Sequence, residues 1–381
     1  MTSFTEANKD GDRPWILQLC HGYDGPFMDC ARQYAAAFEN TKFQVCTVYL
    51  TGEPSEVVEA GSASDKVVFL NYCSRQLRGL KLQAILDIHK LQVSHEFVMC
   101  IAHRFKPTYV ALFATQLPVI SVSHAFGVYH RSMRRLLVSM FKSRLTMLGV
   151  SMAVRDDLRK SLPGWPEYKI QHMYNRINPE ALTAQLADRN EARAVLGLPE
   201  SAWIVGNVGR LHPDKDQATL IRGFAAALPS LPEGSLLAIL GRGRLEQALR
   251  QLAEELNVSS NVLFLGQVPE AKRYFKAFDV FALSSDHEPF GMVLLEAMIA
   301  GVPIIATRAG GATEIVDGIG EMFELGDSEG LARCLVLVSA SNELEIEKSR
   351  RLMKKRIQDE FSDKAVSPLL VAMIPTVLGS T

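Results

Sequence analysis

At 381 residues the chain is longer than one hydrophobic core usually serves, so its length predicts two domains. With 48% hydrophobic and 22% charged residues it has the composition of a soluble globular protein, which excludes a disordered chain. The net charge of -1 hides an asymmetry: residues 1–170 carry 20 basic against 15 acidic side chains, so the first half is the part expected to meet anions.

The first 14 residues are polar and acidic, without the apolar core of a signal peptide. No apolar run approaches the roughly 18 to 20 residues of a membrane span. The six cysteines form no Cys-x-x-Cys pair and no metal-ligand spacing, and they read as buried free thiols in a reducing compartment. These features predict a cytoplasmic protein.

Residues 15–20 form a short apolar run that ends in His21-Gly22-Tyr23-Asp24-Gly25-Pro26. Ala31, Tyr34, Ala35 and Phe38 then repeat at helical spacing, giving a strand, a loop and a helix. A loop at a strand's carboxyl end can hold a substrate, which makes His21, Gly22, Tyr23 and Asp24 acceptor-side candidates. Further apolar runs at 43–50, 66–70, 98–102 and 119–123 alternate with helix-length segments, the pattern of a parallel sheet covered on both faces. His103 and His124 each follow one of these strands. A lone histidine is commonly structural, and His103 reads so, with an acceptor-side role left open.

Residues 128–145 contain five basic residues and no acid, with aromatic and aliphatic residues among them at helical spacing. Such a helix either packs on a core or rests on anionic lipid, and the basic first half favours a membrane surface for the segment between Arg131 and Arg144. A strand at 147–151 and a helix from Ala153 follow, and Leu162-Pro163-Gly164-Trp165-Pro166 breaks the chain. A turn at Asn175-Arg176-Ile177-Asn178-Pro179 sets the expected boundary: a first domain over 1–174, a second over 175–360, and a closing segment 361–381.

The second half starts its own sheet at 203–210, and Leu211-His212-Pro213-Asp214-Lys215-Asp216 leads into a helix at 217–228. Gly209 allows close backbone approach, while Arg210 and Lys215 place two cations at a strand's carboxyl end. Strands at 236–240 and 261–268, a helix at 271–278 and a strand at 279–284 continue the alternation, with further strands at 302–307 and 323–327.

The stretch around which this half is organised is Ser285-Asp286-His287-Glu288-Pro289-Phe290-Gly291-Met292-Val293-Leu294-Leu295-Glu296. It runs from strand through a turn into a helix, and free amides at such a helix start suit a diphosphate. Glu288 and Glu296 bracket the turn, and carboxylates there suit sugar hydroxyls. Diphosphate plus diols describes a nucleotide sugar.

Glu288-x7-Glu296, with Pro-Phe-Gly after the first acid and Ala-x-x-x-Gly-x-Pro-Ile-Ile-Ala-Thr after the second, resembles the donor signature of retaining GT-B glycosyltransferases, in particular glycosyltransferase family 4. The resemblance covers roughly residues 170 to 360. It implies an α/β GT-B fold, two Rossmann-like doubly wound domains facing a central cleft, with the terminal helix crossing back onto the first domain.

It also implies roles. Gly-Arg-x-x-x-x-Lys after a strand is similar to the family's donor diphosphate pair, giving Arg210 and Lys215 catalytic roles beside Gly209. His124, in Ser-His-Ala-Phe-Gly, resembles the family's donor-sugar histidine, and Glu288 would hold the same sugar. Phe290, Gly291, Met292 and Val293 would contribute backbone contacts, Glu296 would hold the ribose, and Gln267 and Val268 would meet the base.

The implied activity is retaining hexosyl transfer from a nucleotide-diphosphate sugar, a co-substrate, with no cofactor and no metal. The expected acceptor is a bacterial envelope glycan or glycolipid such as lipopolysaccharide core, reached from the cytoplasmic membrane's inner face, with no nucleic acid partner. A nucleotide-sugar epimerase of the same fold and a noncatalytic nucleotide-sugar-binding scaffold are the alternatives.

Overall fold

The computed structural model describes residues 13–25 and 27–379, so the amino-terminal reading above falls almost wholly outside the described residues. The chain divides into two compact units, residues 1–175 with 363–381, and residues 176–362.

The first unit is built on seven parallel strands: β1 (Trp15–Cys20), β2 (Gln44–Tyr49), β3 (Lys66–Phe69), β4 (Phe97–His103), β5 (Val119–Ser123), β6 (Leu145–Gly149) and β7 (Ile170–His172). Their spatial order is β3-β2-β1-β4-β5-β6-β7. The second unit has six, β8 (Ile204–Val208), β9 (Leu236–Leu240), β10 (Val262–Gly266), β11 (Val280–Leu283), β12 (Ile304–Thr307) and β13 (Glu321–Phe323), in the order β10-β9-β8-β11-β12-β13. Both sheets are doubly wound, as the alternation predicts.

The central strands are buried on both faces because helices cover both. All five residues of β5 and of β6 are buried. In the second unit Val205, Leu237, Ile239, Val280 and Ile305 share one core with Phe224 and Leu331 from the covering helices. Five of the six cysteines lie in such interiors, where burial pushes the Cys30 and Cys46 thiols up to about 12, and Cys73 alone is exposed.

Several expected boundaries move, and at two of them a side chain that caps the next helix follows the shortened strand. The strand expected at 147–151 is β6, which ends at Gly149, and the Ser151 hydroxyl accepts from the Val154 amide to cap the helix Met152–Ser161. The strand expected at 323–327 is β13, which ends at Phe323, and Asp327 caps the helix Ser328–Ser339 through the Gly330 amide. The basic helix expected over 128–145 is only Ser132–Met140.

The closing helix Asp363–Leu378 belongs to the first unit. It buries Val366, Leu370, Ile374 and Val377, a single stripe at i, i+4 and i+3 spacing. It packs against the helix Phe27–Ala36, where Asp363 lies 3.6 Å from the Arg32 guanidinium. Leu370→Ala empties a fully buried position, so it is expected to destabilise the protein by about 2–5 kcal/mol in urea unfolding followed by far-ultraviolet circular dichroism.

Candidate functional site

In each sheet the strand order reverses beside the first strand of its unit, between β1 and β4 and between β8 and β11. Loops leaving the two strands part to opposite sides there, and the space at their carboxyl ends is where open parallel sheets bind ligands. The residues predicted from sequence gather at these two points.

In the second unit, Gly209 and Arg210 leave β8, and the loop after β9 is laid directly against them. A Cβ on Gly241 would fall 1.9 Å from the Gly209 carbonyl oxygen, so only glycine lets the two backbones approach. The Gly209 amide donates to Leu240 O at 2.9 Å and the Leu211 amide to Arg242 O at 3.1 Å, fixing the loop pair. Beside it lies a cavity of about 290 Å³ lined by Gly209, Arg210, Gly241, Arg242, Gln267 and Val268. Gly209, Arg210, Gln267 and Val268 are thus brought together. Arg242, between Gly241 and Gly243, is an additional cation that sequence reasoning passed over.

The loop after β8 is also fastened to the loop after β11. The Ser284 hydroxyl donates to Lys215 O at 2.9 Å, and the Asp286 amide to Asp214 O at 3.1 Å. Those bonds set the Lys215 ammonium 2.6 Å from the Glu288 carboxylate, both largely buried. Two residues assigned separately to diphosphate and sugar are therefore each other's partner in this state. Arg210 is mostly exposed and lies 3.2 Å from Asp214.

Gly291, at φ 107°, is in the left-handed region where a side chain would be strained, and it turns the chain into the helix Met292–Ile299. Met292 and Val293 supply first-turn amides, which an α-helix leaves without intrahelical partners. Phe290 is buried beneath the turn, with its ring 5.7 Å from that of Phe361. Glu296 lies about one turn inside the helix and is half-buried. Among the described residues no group of three or more His, Cys, Asp or Glu side chains is placed to hold a metal.

In the first unit, His21 follows β1, Arg104 follows β4 and His124 follows β5. They line a cavity of about 320 Å³ together with Phe27, Lys106 and Arg134. His103, the last residue of β4, is buried with its Nδ1 3.1 Å from His124 Nε2, so one imidazole donates to the other. Burial, then the charges of Lys106 and Arg104, push His21 down to about 4, with Asp24 pulling weakly the other way. Burial and Arg104 push His124 down to about 4, and burial with His124 takes His103 well below its usual range. All three are neutral hydrogen-bonding groups at neutral pH.

Gly22, Tyr23 and Asp24 do not line this cavity. The Tyr23 hydroxyl donates to Glu53 O at 2.8 Å and its ring packs edge-on against Tyr49, so it supports the loop after β2. A Cβ at Gly22 would press on the Thr51 hydroxyl at 2.5 Å. Asp24 is exposed, and its carbonyl accepts from the Phe27 amide at 3.4 Å. Arg104 and Lys106 were missed, because single basic residues near strand ends carry no motif, and Arg134, read from sequence within the basic segment expected at a membrane surface, lines this cavity.

Residues 188–357 match the model of the family described as glycosyl transferases group 1. The chain is 35% identical over 184 residues to the lipopolysaccharide core biosynthesis glycosyltransferase LpsE of Rhizobium meliloti (strain 1021), covering 48% of this chain and 52% of that protein. It spans about half the length of the curated relatives it matches.

The fold is GT-B, with two Rossmann-like parallel-sheet domains. A glycosyltransferase from Rickettsia africae ESF-5 superposes with a TM-score of 0.82 at 14% identity, over 97% of this chain and all (100%) of that one. Anabaena Alr3699/HepE, solved in complex with UDP and glucose, superposes at 0.75 with 19% identity, over 95% and 99%.

Neutral burial of the histidines has a pH consequence. In the unfolded chain they titrate near 6.5, and in the fold His21 and His124 titrate near 4. The folded pKa is the lower one, so their contribution to stability is complete above 6.5 and is lost as pH falls from there toward 4. A pH series of thermal melts should show Tm falling over this window, with a shallower fall in His21→Asn/His124→Asn; an identical slope in that variant removes the assignment.

Proposed function

We propose that the protein is a retaining glycosyltransferase that moves a hexosyl group from a nucleoside-diphosphate sugar to an acceptor hydroxyl of a bacterial envelope glycan or glycolipid. The observation that carries this reading is the convergence, at one switch point, of two cations, the buried Glu288, an open helix start and Glu296. The neighbouring cavity with Gln267 and Val268 has room for a nucleobase. Retention and a lipopolysaccharide-core type of acceptor rest on the donor-motif resemblance and on the likeness to LpsE.

In this reading the acceptor oxygen bonds to the anomeric carbon as the bond from that carbon to the phosphate oxygen breaks, and the departing diphosphate takes the acceptor's proton. Arg210, Lys215 and the amides of Gly291, Met292 and Val293 offset the negative charge that develops on the leaving group. The ion pair of Lys215 with Glu288 adds a device. An arriving diphosphate competes for the ammonium, and the released carboxylate is then free to accept from hydroxyls of the sugar. Glu296 holds the ribose diol, and neutral His124 bonds a sugar hydroxyl. No cofactor and no metal enter the scheme, since the two cations do the neutralising.

A membrane surface suits the helix Ser132–Met140. Met133, Leu136 and Met140 are 74%, 60% and 71% exposed, at i, i+3 and i+7 spacing, and only Val138 is buried. Exposed Arg131 and Arg135 flank this apolar row. Apolar insertion beside basic residues fits an anionic bilayer and supports a position at the inner face of the cytoplasmic membrane. No described helix is long and apolar enough to cross a membrane.

Two experiments test these readings. In a thermal-shift panel of nucleotides and nucleotide sugars, one nucleoside diphosphate is expected to raise Tm, with affinity reduced at least tenfold in Glu296→Ala and sugar transfer reduced about a hundredfold or more in Lys215→Ala. Folded protein that responds to none of the panel sinks the transferase reading in favour of a scaffold. Turnover of the nucleotide sugar to an epimer without an acceptor would point to an epimerase. In vesicle co-sedimentation, Met133→Glu/Leu136→Glu should abolish binding to anionic vesicles; binding equal to that of the unaltered protein removes the membrane contact.

A further inference from the structure

Among the described residues, the cations of the first unit's switch point have no acid to neutralise them. Arg104 directly follows β4, and Lys106 sits in the first turn of the helix Phe105–Ala114. With Arg134 they line the cavity that also exposes His21 and His124, and no aspartate or glutamate is among its described lining residues. Among the described residues Arg104 and Lys106 have no carboxylate partner. Three like charges around one small cavity repel one another, and an anion in the cavity removes that repulsion.

The two guanidinium groups are held by their faces. Arg104 stacks over the Phe27 ring at 4.6 Å and Arg134 over the Phe105 ring at 4.5 Å. Stacking leaves the in-plane N-H donors available, and the rigid fork of a guanidinium matches a phosphoryl group's oxygens. Arg134 spends one donor on Val128 O at 2.9 Å, which fixes its orientation. His21 Nδ1 is buried without a partner, a further polar atom at the same cavity.

The backbone at Arg104 is the second observation. Its φ of 75° and ψ of 167° lie in a region that is essentially reserved for glycine. Glycine would relieve the strain, yet the chain keeps an arginine there, at the carboxyl end of the strand beside the switch. Its guanidinium lies over the ring of Phe27, which lines the same cavity. The amide dipoles of the ten-residue helix that begins at Phe105 add positive potential at the same place.

We propose that this cavity is a subsite for a phosphoryl group carried by the acceptor, gripped by Arg104, Lys106 and Arg134 with His21 beside them. The proposal deepens the transferase reading, on which the word acceptor rests, whereas binding of the anion does not depend on it. The phosphoryl group can belong to a soluble phosphorylated sugar or to a lipid headgroup, and the chemistry of capture is the same.

Isothermal titration of the full chain with inorganic phosphate and with UDP tests both levels. Arg104→Gln/Lys106→Gln is expected to weaken phosphate at least tenfold and to leave UDP within twofold, while Arg210→Gln weakens UDP and leaves a phosphate site intact. Phosphate affinity unchanged in Arg104→Gln/Lys106→Gln overturns the subsite. Loss of phosphate binding in that variant, with UDP bound by no version of the protein, keeps the subsite and sinks the transferase reading. Acetate binding as tightly as phosphate also overturns the phosphoryl assignment.

Arg104→Gly separates function from folding. It is expected to raise Tm by a few degrees through relief of backbone strain while weakening phosphate, and a raised Tm with unaltered phosphate affinity removes Arg104 from the site. Glucose 6-phosphate and vesicles of phosphatidylcholine with phosphatidate distinguish the sources. Arg104- and Lys106-dependent binding to the first assigns a soluble phosphosugar, and such binding to the second alone assigns a headgroup. Binding to neither, with inorganic phosphate bound, overturns the acceptor role.

Discussion

Everything functional in this protein depends on the reversal of strand order beside β1 and beside β8. Parallel strands joined by right-handed crossovers must place their helices on opposite faces when the order reverses, so the loops at that point cannot cover the strand ends. The resulting gaps receive His21 and Arg104 in one unit, and Arg210 and Glu288 in the other. Neither gap needs a special loop to be created. The loops have only to supply the chemistry.

The two gaps are filled with opposite electrostatic solutions. In the second unit Lys215 and Glu288 neutralise each other at 2.6 Å, and the loops that carry them are tied together through Ser284 and Asp286. Both charges there are already satisfied. In the first unit Arg104, Lys106 and Arg134 line a common cavity with no acid among its described lining residues, and burial, then the charges of Lys106 and Arg104 at His21 and of Arg104 at His124, keep these histidines neutral. Three like charges therefore share that cavity. The contrast parallels the balance of charge along the chain, where residues 1–170 carry 20 basic against 15 acidic side chains.

Residues whose chemistry is tied to a local pattern were legible. Gly209, Arg210, Lys215, Glu288, Gly291 and Glu296 lie within short strand-turn-helix segments, so their spacing alone places them at strand ends and helix starts. Residues whose role depends on a neighbour distant in sequence were not. Arg242 joins the second-unit cavity because Gly241 lets its loop lie on Gly209, and Arg104 meets Phe27 and His21 only across the sheet. Tyr23 shows the converse: an apt residue in an apt loop whose ring and hydroxyl are taken up by Tyr49 and Glu53.

By itself the sequence determined the alternation of strand and helix, because buried parallel strands are apolar on both faces and the helices between them carry a period of their own. It determined the turn around Glu288 and Gly291, because a glycine at positive φ and a helix start are local matters. Tertiary structure decided which cations are free and which are paired, since Lys215 and Glu288 are far apart in the chain but in contact in space. It also decided that the basic helix stops at Met140 and leaves Met133 and Leu136 exposed, because solvent exposure depends on what the rest of the fold packs against that face.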